Sequence, residues 1–131
     1  MILVDTSIWI ELLAGRTPGR ISADDFAHFV TCGPVVQEVL QGLKPGPQSD
    51  LFRTSFLALP ILDDPIPLSV FVSAADIYRR GRRRGITIRS SVDCLIAAIA
   101  IDRDVPVWHR DRDFQAIAQY TALETVRITP A

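Results

Sequence analysis

The chain has 131 residues, a formal net charge of −1, 48% hydrophobic and 22% charged side chains. That length suits one domain over residues 1–131 with a sizeable core, and the balance excludes a disordered polyelectrolyte. Cys32 and Cys94 have no metal-ligand spacing, no apolar run reaches membrane-spanning length and no stretch reads as a secretory signal, so a cytoplasmic protein with no membrane role is expected.

Ile2-Leu3-Val4 is a continuous apolar run, which predicts a strand buried on both faces with Asp5 at its C-terminal end. Thr6 or Ser7 is a natural N-cap for a helix carrying Ile8, Trp9, Leu12 and Leu13. Gly15 to Gly19, with Pro18, reads as a turn, Ser22-Ala23-Asp24-Asp25 as the start of a short helical or extended segment, and His28 to Thr31 as a second strand. Gly33-Pro34 breaks that strand and opens a helix with Val35, Val36, Val39, Leu40 and Leu43 as its apolar stripe. Glu38 stands in it one turn beyond the proline. Lys44 to Pro47 is a loop, Gln48 to Leu57 a helix, and Pro60-Ile61-Leu62 a short extended piece before the turn Asp63-Asp64-Pro65.

From Leu68 onward, Phe71, Ala74, Ala75 and Tyr78 fall at helical spacing. This helix closes on Arg79-Arg80-Gly81-Arg82-Arg83-Arg84-Gly85, with Gly85 as its stop. The arginines match the dipole at a helix C-terminus, or alternatively Arg80, Arg82 and Arg83 form a track for a phosphate backbone. Ser90 to Asp93 opens the next helix, and Cys94 to Ile101 contains no polar side chain, so that helix is buried all round. Asp102-Arg103-Asp104 is a polar exit, Val105 to Trp108 a strand, and Asp111 a cap for a helix bearing Phe114, Ile117 and Ala118. Glu124 to Ile128 forms a short alternating strand, with loose residues after it. Helices and short strands thus alternate throughout, which predicts an α/β sandwich on a mainly parallel sheet. Ligands bind such sheets at the strand C-termini.

Four acids occupy equivalent local positions. Asp5 and Asp111 follow strands, while Glu38 and Asp93 stand in first turns of helices; each could also be an ordinary turn or cap residue. If they converge, their charges repel and raise one another's pKa values. A hard divalent cation would compensate, lower the pKa of a coordinated water and neutralise charge on a phosphate. Such chemistry needs no histidine. His109, beside Asp111, is a proton donor or a structural residue, and Trp9 and Trp108 belong in the core.

At these four residues the sequence resembles the PIN-domain ribonucleases, and within them the VapC toxins of toxin-antitoxin pairs. The resemblance rests on Val4-Asp5-Thr6-Ser7, on Glu38 between Gly33-Pro34-Val35-Val36-Gln37 and Val39-Leu40-Gln41-Gly42-Leu43, on Asp93-Cys94-Leu95-Ile96-Ala97-Ala98, and on Asp111-Arg112-Asp113-Phe114. It implies a three-layer α/β/α fold and a Mg²⁺- or Mn²⁺-dependent endoribonuclease that cleaves cellular RNA. It also implies a homodimer neutralised by a cognate VapB antitoxin. Asp5, Glu38, Asp93 and Asp111 would then be catalytic metal ligands, with Ser7, Thr6 and Asp113 supporting them. Asp111 and Asp113 both precede Phe114, and either could be the fourth acid.

Two other acidic-pocket α/β classes fail on residues. A response-regulator receiver needs a lysine after its last strands, and Lys44 lies in a mid-chain loop. Haloacid-dehalogenase-like phosphatases need an aspartate at position 7, where this chain has serine. The remaining alternative is a non-catalytic PIN-like module that binds RNA or a partner.

Overall fold

A computed structural model describes residues 1–16 and 23–126. The first strand, β1 (Ile2–Val4), leads directly into α1 (Thr6–Leu13). The short α2 (Ala23–Phe26) precedes β2 (Phe29–Cys32), which is followed by α3 (Gly33–Gln41), α4 (Pro47–Leu57) and β3 (Ile61–Leu62). Then come α5 (Leu68–Arg83), α6 (Ser91–Arg103), β4 (Val107–Trp108), α7 (Arg112–Ala118) and β5 (Thr125–Val126). Among the described residues the five strands form one parallel sheet in the order β3-β2-β1-β4-β5.

That order positions the site. From β1 the chain steps outward through β2 to β3, then returns across the sheet to β4 and β5 on the other side of β1. Right-handed crossovers therefore lay α1 to α4 on one face and α5 to α7 on the other, giving three layers. The direction of winding reverses between β1 and β4, the place where open parallel sheets bind ligands beyond the strand C-termini. Register brings both strand ends to one level, because Val4 pairs with Trp108 and the Asp5 amide donates to the Trp108 carbonyl at 2.9 Å.

Burial explains why the ends hold still. Leu3 and Val4 are fully buried, as a two-faced strand requires. Trp9 stands edge-on to Phe29, Phe52 and Phe56, and its indole N–H donates to the Val4 carbonyl at 3.1 Å, fastening α1 to β1. Helix α6 buries Asp93, Cys94 and Ile96 to Ala100, the all-round burial that its apolar run predicts. Cys32 and Cys94 are free buried thiols, pushed up to about 12 and about 11 chiefly by burial.

Several boundaries differ from the sequence reading for physical reasons. Neither Thr6 nor Ser7 caps α1: the cap is Asp5, whose carboxylate accepts from the Ser7 amide, so the site acid also starts the helix. Helix α6 continues through Asp102 and Arg103 and stops at Asp104, which takes the left-handed conformation with φ 54°. Its polar end is anchored by Arg103 Nε, 2.8 Å from the buried Asp63 carboxylate. The stripe assigned to α5 is displaced. Val70, Ala74, Ile77 and Gly81 are the buried positions, while Phe71 is 47% exposed and Ala75 lies outside. The helix is apolar on two faces, and spacing alone does not tell which one meets α6. The Gly15–Gly19 turn and the Ser22–Asp25 start fall partly outside the described residues, as does the end of the Glu124–Ile128 strand and the segment after it; Thr125–Val126 pairs with β4.

Candidate metal-binding acidic site

Asp5 leaves β1 at 3% exposure and receives two bonds from a single residue, the Ser7 hydroxyl at 2.6 Å and the Ser7 amide at 3.1 Å, both to Oδ2. Burial raises its pKa; the Ser7 bonds oppose that rise and the Asp111 charge adds to it. The same Ser7 hydroxyl accepts from the Arg110 amide at 3.0 Å, tying the loop after β4 to the end of β1. Glu38, on α3, is partly exposed, and its Oε1 accepts from the Thr6 hydroxyl at 2.9 Å. Thr6 and Ser7 thus hold one acid each.

Asp93 comes from the first turn of α6 at 6% exposure. Its Oδ2 is completely buried and has no donor. Burial first, then the charges of Asp111 and Asp5 and the carboxylate of Asp113, push its pKa up to about 9. Asp111 is the N-cap of α7: its Oδ1 accepts from the Asp113 amide at 2.8 Å, and its own amide donates to His109 Nδ1 at 3.2 Å. His109 also packs its ring 5.3 Å from Phe114, so it serves the loop's architecture.

Asp113 is occupied differently. It is 5% exposed, its Oδ2 accepts from the Arg89 and Ser90 amides at 3.1 Å each, and its Oδ1 lies 3.3 Å from the Arg89 amide. It therefore pins the segment leading into α6. The sequence offers Asp113 as a supporting residue or as the fourth acid and gives no sign of this role, because its partners lie more than twenty residues earlier and no local pattern announces them.

Asp93, Asp111 and Asp113 each offer an oxygen, and these three atoms lie within 4.8 Å of one another. The fit to a hard divalent cation rests on Asp93 Oδ2. A buried carboxylate oxygen without a donor, among three other aspartates, requires either a proton or a cation. Asp5 reaches this group through its charge, and Glu38 stands on the flank beyond Thr6. The structure thus gathers Asp5, Asp93, Asp111 and Asp113, with Glu38 at the side.

The arginines expected to track RNA stand in the last turn of α5. Arg80 Nη2 donates to the Tyr120 carbonyl at 2.7 Å, and Arg80 and Arg84 both stand over the Tyr120 ring. Arg80 and Arg83 line a cleft of about 630 Å³ with Asp76 and Asp102, and none of the site acids lines it. Trp9 and Trp108 are each 3% exposed, in the core as expected.

A family model described as the PIN domain matches residues 2–120. The chain is 39% identical, over 132 aligned residues, to "VapC ribonuclease Mb1587" of Mycobacterium bovis, covering 95% of this chain and 96% of that protein. It matches "Ribonuclease VapC11" of Mycobacterium tuberculosis at the same identity and coverage. Among solved structures, VapBC-1 from nontypeable Haemophilus influenzae superposes with a TM-score of 0.73 at 19% identity, covering 96% of this chain and 97% of that one, which shows a shared fold.

Proposed function

This chain belongs to the PIN domain family, and on that premise we propose that it is a divalent-metal-dependent endoribonuclease, the toxin of a VapBC-type toxin-antitoxin pair. The observation that carries the reading is Asp93 Oδ2, buried without a donor among Asp5, Asp111 and Asp113. A chain that only bound RNA would gain nothing from crowding carboxylates where their repulsion is costly.

Asp5, Asp93 and Asp111 act as metal ligands, and Glu38 as a further ligand or as an organiser of attacking water. Mg²⁺ or Mn²⁺ held there supplies positive charge against the phosphate and a hydrolytic water of lowered pKa. The chain's own contribution is orientation. Ser7 fixes the rotamer of Asp5, Thr6 holds Glu38, and Asp113 sets the start of α6 and with it Asp93. These supporting bonds leave each acid one preferred position, so little reorganisation is needed when substrate arrives.

The partners follow from the same reading. The relatives are called VapC ribonucleases and one structural neighbour is a VapBC complex, which supports a VapB-type antitoxin as the partner of this chain. A homodimer is supported by the apolar outer face of α5, where Leu68, Phe71 and Val72 are 78%, 47% and 55% exposed. Among the described residues no helix is long and apolar enough to cross a membrane.

The test is cleavage of cellular RNA by the purified chain with Mg²⁺, with Mn²⁺ and with chelator, alongside Asp5→Asn and Asp93→Asn. Metal-dependent cleavage lost in both variants is expected. Cleavage unchanged by those substitutions would defeat the reading, and RNA binding without any cleavage would favour a non-catalytic module.

A further inference from the structure

We infer that Arg89, Arg110 and Arg112 form the rim that holds RNA phosphates over the acid cluster; the inference rests on the ribonuclease reading above. A phosphodiester must approach a pocket that is itself strongly negative, and one divalent ion does not balance four aspartates and a nearby glutamate. Fixed cations beside the pocket are therefore required, and arginine's planar fork suits phosphate oxygens.

Two arginines are built into the same bonds that set the acids, and a third stands between two of the acids. The Arg89 amide donates to Asp113, and the Arg110 amide donates to the Ser7 hydroxyl that in turn donates to Asp5. Arg112 is the first residue of α7, between the cap Asp111 and the buried Asp113. All three residues are exposed. Their main chains are thus registered to the acids while their side chains stay in solvent.

Their charges are also available. Arg110 Nη1 lies 3.6 Å from Glu11 Oε2, a loose, half-exposed pair whose carboxylate is already held by Arg16 at 2.8 Å. Such a pair is weak enough for a phosphate to displace. Among the described residues neither Arg89 nor Arg112 has an ion-pair partner. At the basic end of α5, Arg80 is less available, since it is engaged by the Tyr120 carbonyl and ring. The Arg110 head group lies by Glu11 of α1, while Arg89 stands on the segment entering α6 and Arg112 begins α7, so the three cations are carried where chain segments meet the site acids.

The experiment measures binding of a short mixed-sequence single-stranded RNA across a salt series, with Ca²⁺ in place of Mg²⁺ to keep the strand intact. Each phosphate contact in single-stranded RNA contributes about 0.7 to the slope of log affinity against log salt. Replacing Arg89, Arg110 and Arg112 together with glutamine should reduce that slope by about 2. The triple lysine variant should keep the wild-type slope, which separates charge from folding. An equivalent glutamine set at Arg80, Arg82 and Arg83 should leave the slope within about 0.7 of wild type. A rim variant with an unchanged slope, or a full loss produced by the α5 set instead, would overturn the inference while leaving the nuclease reading intact. Wild-type protein that neither binds nor cleaves RNA would remove both.

Discussion

The Ser7 hydroxyl donates to Asp5 Oδ2 at 2.6 Å while accepting from the Arg110 amide at 3.0 Å, so one small side chain joins the first strand's acid to the loop after the fourth. Removing it leaves Asp5 with main-chain amides alone, and the Arg110 amide with no acceptor. Ser7→Ala should lower metal affinity and RNA cleavage by about 10- to 100-fold, the usual cost of losing an outer support of a metal ligand. Ser7→Thr, which keeps the hydroxyl, should recover most of the loss. Cleavage rates and Mg²⁺ titrations of the two variants check this, and an alanine variant of wild-type activity would show that the hydroxyl is dispensable.

Asp93 makes stability depend on pH and on metal together. Its pKa is raised from an ordinary 3.8 to about 9, so between those values the folded chain binds a proton that the unfolded chain has released. Without metal, stability should therefore fall as pH rises from about 4 towards 9. A cation takes the proton's place, so the rise in melting temperature given by Mg²⁺ should grow across the same range. Melting curves at several pH values, with and without Mg²⁺, measure both slopes. A Mg²⁺ effect that shrinks as pH rises would contradict the account.

Gly81 is required by a contact rather than by its backbone. A Cβ there would lie 2.6 Å from the Tyr120 hydroxyl and 3.2 Å from the Ile86 carbonyl. That hydroxyl cannot simply swing away, because it is buried and donates to the Ile77 carbonyl at 2.8 Å. Gly81→Ala should cost about 1–3 kcal/mol, as overpacked cores do, despite alanine's better helix propensity. Denaturant midpoints would show it. The cost should shrink in a Tyr120→Phe background, where the clashing oxygen is gone.

What the sequence made legible was whatever is written locally. Asp5 and Asp111 could be found because an apolar strand stops on the first and ends three residues before the second, and the burial of α6 because Cys94 to Ile101 carries no polar side chain. Long-range relations were not legible. The buried face of α5 depends on which of two apolar stripes α6 selects, and the role of Asp113 depends on amides at Arg89 and Ser90. The reach of Arg80 to the Tyr120 carbonyl, forty positions away, was likewise not legible.

The same long-range bonds separate Asp111 from Asp113, which sequence leaves equivalent. Asp111 → Asn keeps an oxygen to cap α7 and loses only charge, since asparagine caps as well as aspartate. It should melt no lower than wild type, and higher at alkaline pH because Asp93 loses a repelling neighbour, yet cleave RNA at least about 100-fold more slowly. Asp113→Asn keeps one acceptor oxygen where Asp113 turns two towards the Arg89 and Ser90 amides, and sets an NH2 donor against them in place of the other. It should lose about 1 kcal/mol of stability, the low end of the penalty for stranding amides because these are only partly buried, and its activity should fall along with the order of the segment entering α6. Melting, Mg²⁺ titration and cleavage on both variants decide the assignment. An Asp111→Asn enzyme with wild-type cleavage, beside a stably folded but inactive Asp113→Asn, would make Asp113 the fourth acid and Asp111 only the cap.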